Sequence, residues 1–200
     1  DEHTEISIPS MMIHEGIPGH HLQHAWACEN KSDIRKVFSA NDLSEGWTTM
    51  LEDFMLDIGY GAELSDEIRF KTKRLIARIG ARVAIDLFFM SGNKEYLKIG
   101  IDCELESEDP FVCAGNLLKK ATGFSDSRIK GELNWYSQNP GYPLSYLAGN
   151  YLVWNLKEKF HTKHKQSKTK LEIDQEFHKI FLMAGNMPVS LLEKIMLNKD

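Results

Sequence analysis

Long apolar runs are missing from this chain. Its most hydrophobic stretches, such as RVAIDLFFM, are interrupted by charge and fall well short of the ~20 residues that cross a bilayer, so no transmembrane segment is expected. Cysteine is scarce: Cys28, Cys103 and Cys113 are widely spaced, too few for a Cys-rich zinc module and odd in number for a disulfide framework. They read as small apolar core residues and point to a reducing compartment. Basic charge is not in excess either. With 24 Lys and Arg against 29 Asp and Glu, the net charge is −5, and no basic stripe offers itself to a phosphate backbone, which argues against nucleic acid as a partner. The opening DEHTEISIPS is acidic and polar and lacks the positive start and apolar middle of a secretory signal. Two localisations follow as expectations: cytoplasmic, or exported if an upstream signal was removed.

Runs alternating apolar and polar residues in the manner of strands are nearly absent, while helix punctuation recurs throughout. The expected fold is therefore all-α. At 200 residues and 42% hydrophobic content, the chain is long enough to bury a core, and one domain over 1-200 is the default. A long central helix is expected from about Asp66 to Met90, with Ser65 as cap, acids in its first turn and Gly92-Asn93 after its end. Asp109-Pro110 should open a second helix ending near Gly123, and a third should run from Ser125 to about Gln138. QNPGYP reads as a turn. A helix follows from Leu144 to Lys159, HTKHKQSKTK is a polar connector, and two short helices, Glu172 to Ala184 and Ser190 to Leu197, are split by GNMP.

The chemistry concentrates in HEGIPGHHLQ, residues 14 to 23. A hydrolytic zinc site needs about three nitrogen or oxygen ligands and one open position. The HExxH arrangement supplies two histidines four apart on one helix, but here Pro18 stands four residues after His14. A straight helix would set His14 and His20 on opposed faces and ~9 Å apart along its axis, and His14 and His21 ~10.5 Å apart. Neither pair could then share an ion through ~2 Å bonds. Pro18 removes the donor for the carbonyl of His14, and the flanking glycines permit unusual backbone angles. The segment 16–19 is thus expected to depart from α geometry, which would let His14 and His20 converge. His20 and His24 form a competing pair with true four-residue spacing, without a glutamate between them. A plain helix start decorated with histidines is the third reading.

HEGIPGHHLQ followed by SEGWTTMLEDFMLDIGY resembles the bacterial family known as domain of unknown function 885, grouped with zinc metallopeptidases of the HExxH type. The pattern His-Glu-x-x-Pro-Gly-His-His-x-Gln, then Glu-Gly-Trp, is carried by His14, Glu15, Pro18, Gly19, His20, His21, Gln23, Glu45, Gly46 and Trp47. Arg82 and Asp86 in ARVAID, and Glu132, Tyr136, Pro140, Gly141 and Tyr146 in ELNWYSQNPGYPLSYLAG, continue the likeness; Met50, Met90, Trp135 and Tyr142 depart from it. Members of the family are usually much longer, so the resemblance implies that this is the C-terminal, metal-bearing part of a longer protein whose N-terminal helical portion is missing.

What the resemblance implies is a Zn²⁺ site held by His14, His20 and Glu45, with Glu52 as the fallback ligand. Glu15 would be the general base and Tyr146 the donor to the oxyanion. Arg82 and Tyr142 would contact substrate; the alternative for Arg82 is a pair with Asp86 one turn on. His21 could orient the site, and His24, His161, His164 and His178 read as solvated. Glu45 as an ordinary first-turn acid remains the alternative. The expected function is a zinc-dependent metallopeptidase acting on short peptides or chain ends. The alternatives are a metal-dependent amidohydrolase on a non-peptide amide and an inactive helical binding or assembly module.

Overall fold

A computed structural model describes residues 4–198. The described residues are all-α, and no helix among them is long and apolar enough to cross a membrane. In chain order the helices are α1 (Ser7–Glu15), α2 (His20–Cys28), α3 (Asp33–Val37), α4 (Asn41–Asp57), α5 (Ser65–Ser91), α6 (Pro110–Thr122), α7 (Asp126–Gln138), α8 (Tyr142–His164), α9 (Lys170–Met183) and α10 (Val189–Leu197). The chain divides into two compact units, 1–69 with 148–200, and 70–147.

The first unit contains α1 to α4, most of α8, and α9 and α10. Its core is aromatic and aliphatic: Ile13, Leu43, Trp47, Leu51, Val153, Phe160, Phe177, Phe181 and Leu192 are all buried. Trp47 stacks on Phe181 at 4.6 Å between ring centroids. Two glycines let helices touch here. A Cβ on Gly46 of α4 would lie 2.5 Å from the carbonyl oxygen of Gly149 in α8, and one on Gly149 would lie 2.4 Å from that of Asp42. Only hydrogen fits at such a crossing. Asp42 also accepts the backbone N–H of Val189 at 3.0 Å, capping the start of α10 from a distant helix.

The second unit packs α6 and α7 with most of α5 around Ile85, Phe88, Leu117, Leu118, Leu133 and Tyr136. Asp109 caps α6 by accepting from Phe111 N–H, with Pro110 in the first turn and Gly123 in the left-handed region at the end. Ser125 caps α7. Asp86, fully buried, accepts from the N–H groups of Gly141 and Leu144 at 3.0 and 3.1 Å. Those two bonds occupy both its oxygens and tie down the turn that opens α8.

Several boundaries and environments differ from the sequence reading. α4 begins at Asn41, four residues before Glu45, so Glu45 sits in the second turn and is not a first-turn acid. α8 continues to His164, leaving a connector of five residues, 165–169, before α9, whose Thr169 and Glu172 form a capping box. His178 is not solvated: it meets Phe54 edge-on at 4.8 Å and Trp47 at 5.5 Å. His161 Nε2 donates to Asp174 Oδ1 at 3.2 Å. Cys113 is buried as expected of a core residue, whereas Cys28 is exposed.

Candidate metal centre

The segment between His14 and His20 is a junction of two helices. α1 ends at Glu15 and α2 starts at His20; residues 16–19 lie outside α-helix, and the Ile17–Pro18 peptide is cis. Gly19 passes so close to the end of α1 that a Cβ there would lie 2.0 Å from the carbonyl oxygen of His14 and 2.2 Å from that of Ile13. This approach brings the start of α2 back beside the end of α1. The indole N–H of Trp47 holds the junction from the side, donating to the Pro18 carbonyl at 3.0 Å.

The consequence is a three-residue cluster. One donor atom each from His14, His20 and Glu45 lies within 4.8 Å of the other two. Glu45 Oε2 is 3.6 Å from His14 Nε2 and 3.7 Å from His20 Nε2. Two ligands at tetrahedral angles on bonds of ~2.1 Å would be ~3.4 Å apart, which the two glutamate–histidine spacings match to within a few tenths of an ångström.

The residues around the cluster fix the rings. His14 Nδ1 is 2.6 Å from Glu52 Oε1, and a carboxylate there accepts the Nδ1 proton and turns Nε2 toward Glu45. The Ser44 hydroxyl donates to Gln23 Oε1 at 3.4 Å and lies 3.3 Å from His20 Nδ1. An amide oxygen only accepts, so the serine oxygen is left to receive His20 Nδ1–H, and Nε2 again faces Glu45. Thr48 Oγ1 stands 3.3 Å from His14 Nε2. Ser44, Glu45, Thr48 and Glu52 fall on one face of α4 because helix positions three, four and seven apart coincide.

Electrostatically the cluster favours cations. Burial by itself would lower the pKa of His14, but the hydrogen bonds and charges of Glu45 and Glu52 outweigh it and raise the value to about 9. Two carboxylates around one imidazole thus stabilise positive charge where a metal ion would sit. Glu45 is buried, with 4% of its surface exposed, and such a carboxylate calls for a cation beside it.

The other expected site residues are not among the three clustered donors. Glu52 lies behind His14 and is not among the three clustered donors. Glu15 is the exposed last residue of α1. His21 and His24 are exposed; His24 stacks on His20 at 5.8 Å, and burial together with the His20 charge lowers its pKa. The second unit gathers Arg82, Tyr142 and Tyr146. The Arg82 guanidinium lies over the Tyr146 ring at 4.7 Å and over Tyr136 at 5.3 Å, and Tyr142 meets Tyr146 edge-on at 5.8 Å. Arg82 does not pair with Asp86, whose oxygens are taken by backbone N–H groups. The roles of Ser44, Thr48 and Gly149 went unread in the sequence; Ser44 and Thr48 could have been found as the neighbours of Glu45 on one helix face.

The chain belongs to the family described as bacterial protein of unknown function (DUF885), whose model matches residues 1–196. Two solved structures share the fold. One is a candidate lipoprotein of unknown function from Shewanella oneidensis, 20% identical with a TM-score of 0.77, covering 98% of this chain and 32% of that one. The other is a candidate lipoprotein from Colwellia psychrerythraea, also 20% identical with a TM-score of 0.77, covering 98% and 31%. This chain therefore spans about a third of the length of either. A search of curated proteins returned no match.

Proposed function

We propose that this chain carries the Zn²⁺ site of a metal-dependent hydrolase, most simply a metallopeptidase acting on short peptides or chain ends. The observation that supports it is the convergence of His14 Nε2, His20 Nε2 and Glu45 Oε2, with Glu52 and Ser44 engaging the far nitrogens of both rings. A His₂Glu set is a hydrolytic donor set that leaves a position open, and the contacts at both Nδ1 atoms favour the arrangement in which Nε2 is the atom offered to a metal. Bound there, zinc would supply Lewis-acid polarisation and a nucleophile at neutral pH.

The remaining work falls to the chain itself. Glu52 and Ser44 orient the rings and limit their rotation. Glu45, buried on α4, fixes the third direction. Glu15 follows His14 directly and is exposed to solvent; in this reading it accepts the proton of the attacking water and passes it to the leaving amine. Hydrolysis is expected of polypeptides of the length of the similar structures, and metal binding of the 200-residue chain. The description of those structures as candidate lipoproteins favours an exported, lipid-anchored setting.

Elemental analysis of the zinc-reconstituted chain tests the reading. About one zinc per chain, lost in His14→Ala, His20→Ala and Glu45→Ala but kept in His24→Ala, is expected. Retention of zinc in the first three variants would return the cluster to a structural role. Stoichiometric zinc without hydrolysis of any peptide by a full-length family member would instead favour an inactive binding module, and cleavage confined to non-peptide amides would favour an amidohydrolase.

A further inference from the structure

The second unit contains a cavity of about 270 Å³, whose walls include Arg82, Glu132, Trp135, Tyr142 and Tyr146. Its charged groups converge on one carboxylate. Glu132 accepts Arg78 at 3.1 Å and Arg128 at 3.4 Å on one oxygen, and the Tyr136 hydroxyl at 2.5 Å on the other. Three guanidinium groups, those of Arg78, Arg82 and Arg128, thus surround one carboxylate whose two oxygens are already engaged.

Arg82 is the group left over. Its guanidinium carbon lies 4.7, 5.3 and 5.8 Å from the ring centroids of Tyr146, Tyr136 and Trp135. Its Nε is buried and has no hydrogen-bond partner among the described residues. Aromatic faces cover a guanidinium without satisfying its N–H edge, which remains a planar fork of donors. A buried donor left unmet is destabilising, and the acceptor that matches the fork in geometry and charge is a carboxylate.

We propose that this cavity is a binding site for the carboxylate of an amino-acid-sized group, such as a peptide C-terminus, with its side chain against Trp135 and Tyr142. The volume suits that size, since each water occupies ~30 Å³ of liquid and the cavity would hold about nine. An unpartnered guanidinium Nε–H between aromatic walls favours a flat anion with an apolar neighbour over phosphate, which is hydrated on all sides. The inference does not rest on hydrolysis, and it is tested without metal.

Metal-stripped protein, freed of chelator, is titrated with N-acetyl-phenylalanine, its amide and inorganic phosphate. Calorimetry gives affinity, and the assigned Nε–Hε resonances of arginine in NMR report the contact. The acid is expected to bind at least about tenfold more tightly than the amide and than phosphate, to shift the Arg82 resonance, and to lose about tenfold or more in affinity in Arg82→Lys. Lys130→Ala, an exposed change on the same helix as Glu132, should bind as the parent does. Equal binding of acid and amide, tighter binding of phosphate, an unmoved Arg82 resonance, or no binding of the acid at millimolar concentration would each overturn the proposal. Should Arg82→Lys fail to fold by circular dichroism, the resonance shift in the parent protein decides.

Discussion

Replacing Gly19 by alanine should separate the metal site from the fold. The added Cβ would lie 2.0 Å from the carbonyl oxygen of His14, 2.2 Å from that of Ile13 and 2.5 Å from the carbonyl carbon of His14. All three are backbone atoms in the last turn of α1, so no side chain can swing aside. Relief to an ordinary contact of ~3.3 Å requires the end of α1 and the start of α2 to part by about an ångström. Metal sites tolerate ligand displacements of only about 0.2 Å. His20, the first residue of α2, moves with the junction, so His14 and His20 no longer meet Glu45 together. Zinc affinity should fall by about a hundredfold, the upper end of what loss of ligand orientation costs. Global stability should fall by only about 1–3 kcal/mol, the range for overpacked sites that rearrange locally. The assay is zinc titration against a competing chelator, with a denaturant melt on the same sample. Gly80→Ala is the control: nothing lies within 4 Å of a Cβ there, and alanine in a helix interior should stabilise by about 0.5–1 kcal/mol. A folded Gly19→Ala protein that binds zinc within a few fold of the parent would refute the claim that this backbone approach assembles the site.

Three further outcomes follow from named contacts. Glu52→Gln keeps the shape of the acceptor beside His14 Nδ1 but removes its charge, and should weaken zinc binding by about 10–100-fold while leaving the helical content by circular dichroism unchanged; an unchanged affinity would mean that Glu52 does not orient the ring. His178, packed against Phe54 and Trp47, has its pKa lowered to about 4, by burial first and by the Lys157 charge, against the opposing pull of Asp174. Below pH ~6.5 the unfolded chain takes up this proton and the folded chain does not, so the contribution of about 3 kcal/mol is complete above pH ~6.5 and is lost as pH falls toward 4. Denaturant melts of His178→Leu should lack that slope; an identical slope in both proteins would remove His178 as its source. Lys157 and Asp174 form a buried ion pair, so Asp174→Ala should cost about 3–5 kcal/mol by stranding the ammonium, and Lys157→Met with Asp174→Leu should cost less than either single change; additive costs in a double-mutant cycle would argue against the pair.

Much of the helical plan was legible because its signals are local. Asp109-Pro110 and Gly123 bracket α6, and Ser125 opens α7, since capping depends on residues a turn apart. The start of α4 has no local signal because its N-cap is Ala40, whose side chain cannot cap, and Asp42 in its first turn serves Val189, a partner 147 residues away. The alternation in IDCELES was also passed over. Ile101, Cys103 and Leu105 turn toward the core of the second unit in an extended segment that pairs with no strand, and a period of two without a partner strand gives little to recognise.

The choice between His14/His20 and His20/His24 was undecidable from spacing, and the structure shows why. Spacing ranks pairs on one helix, where four residues is the favourable interval. The clustered pair lies on two helices, and what joins them is a set of contacts with no local signature: Gly19 against the carbonyls of α1, and Trp47 on the Pro18 carbonyl. Glu45, Gly46 and Trp47 are consecutive, yet each answers to a different part of the fold. Glu45 faces the two histidines, Gly46 allows α8 to approach, and Trp47 holds the junction. In a pattern of two histidines four apart, one unbroken helix presets the ligand geometry by itself. Here that geometry is set by the packing of α4 against a broken helix, so in the proposed zinc site residues that never face the ion should also control its affinity.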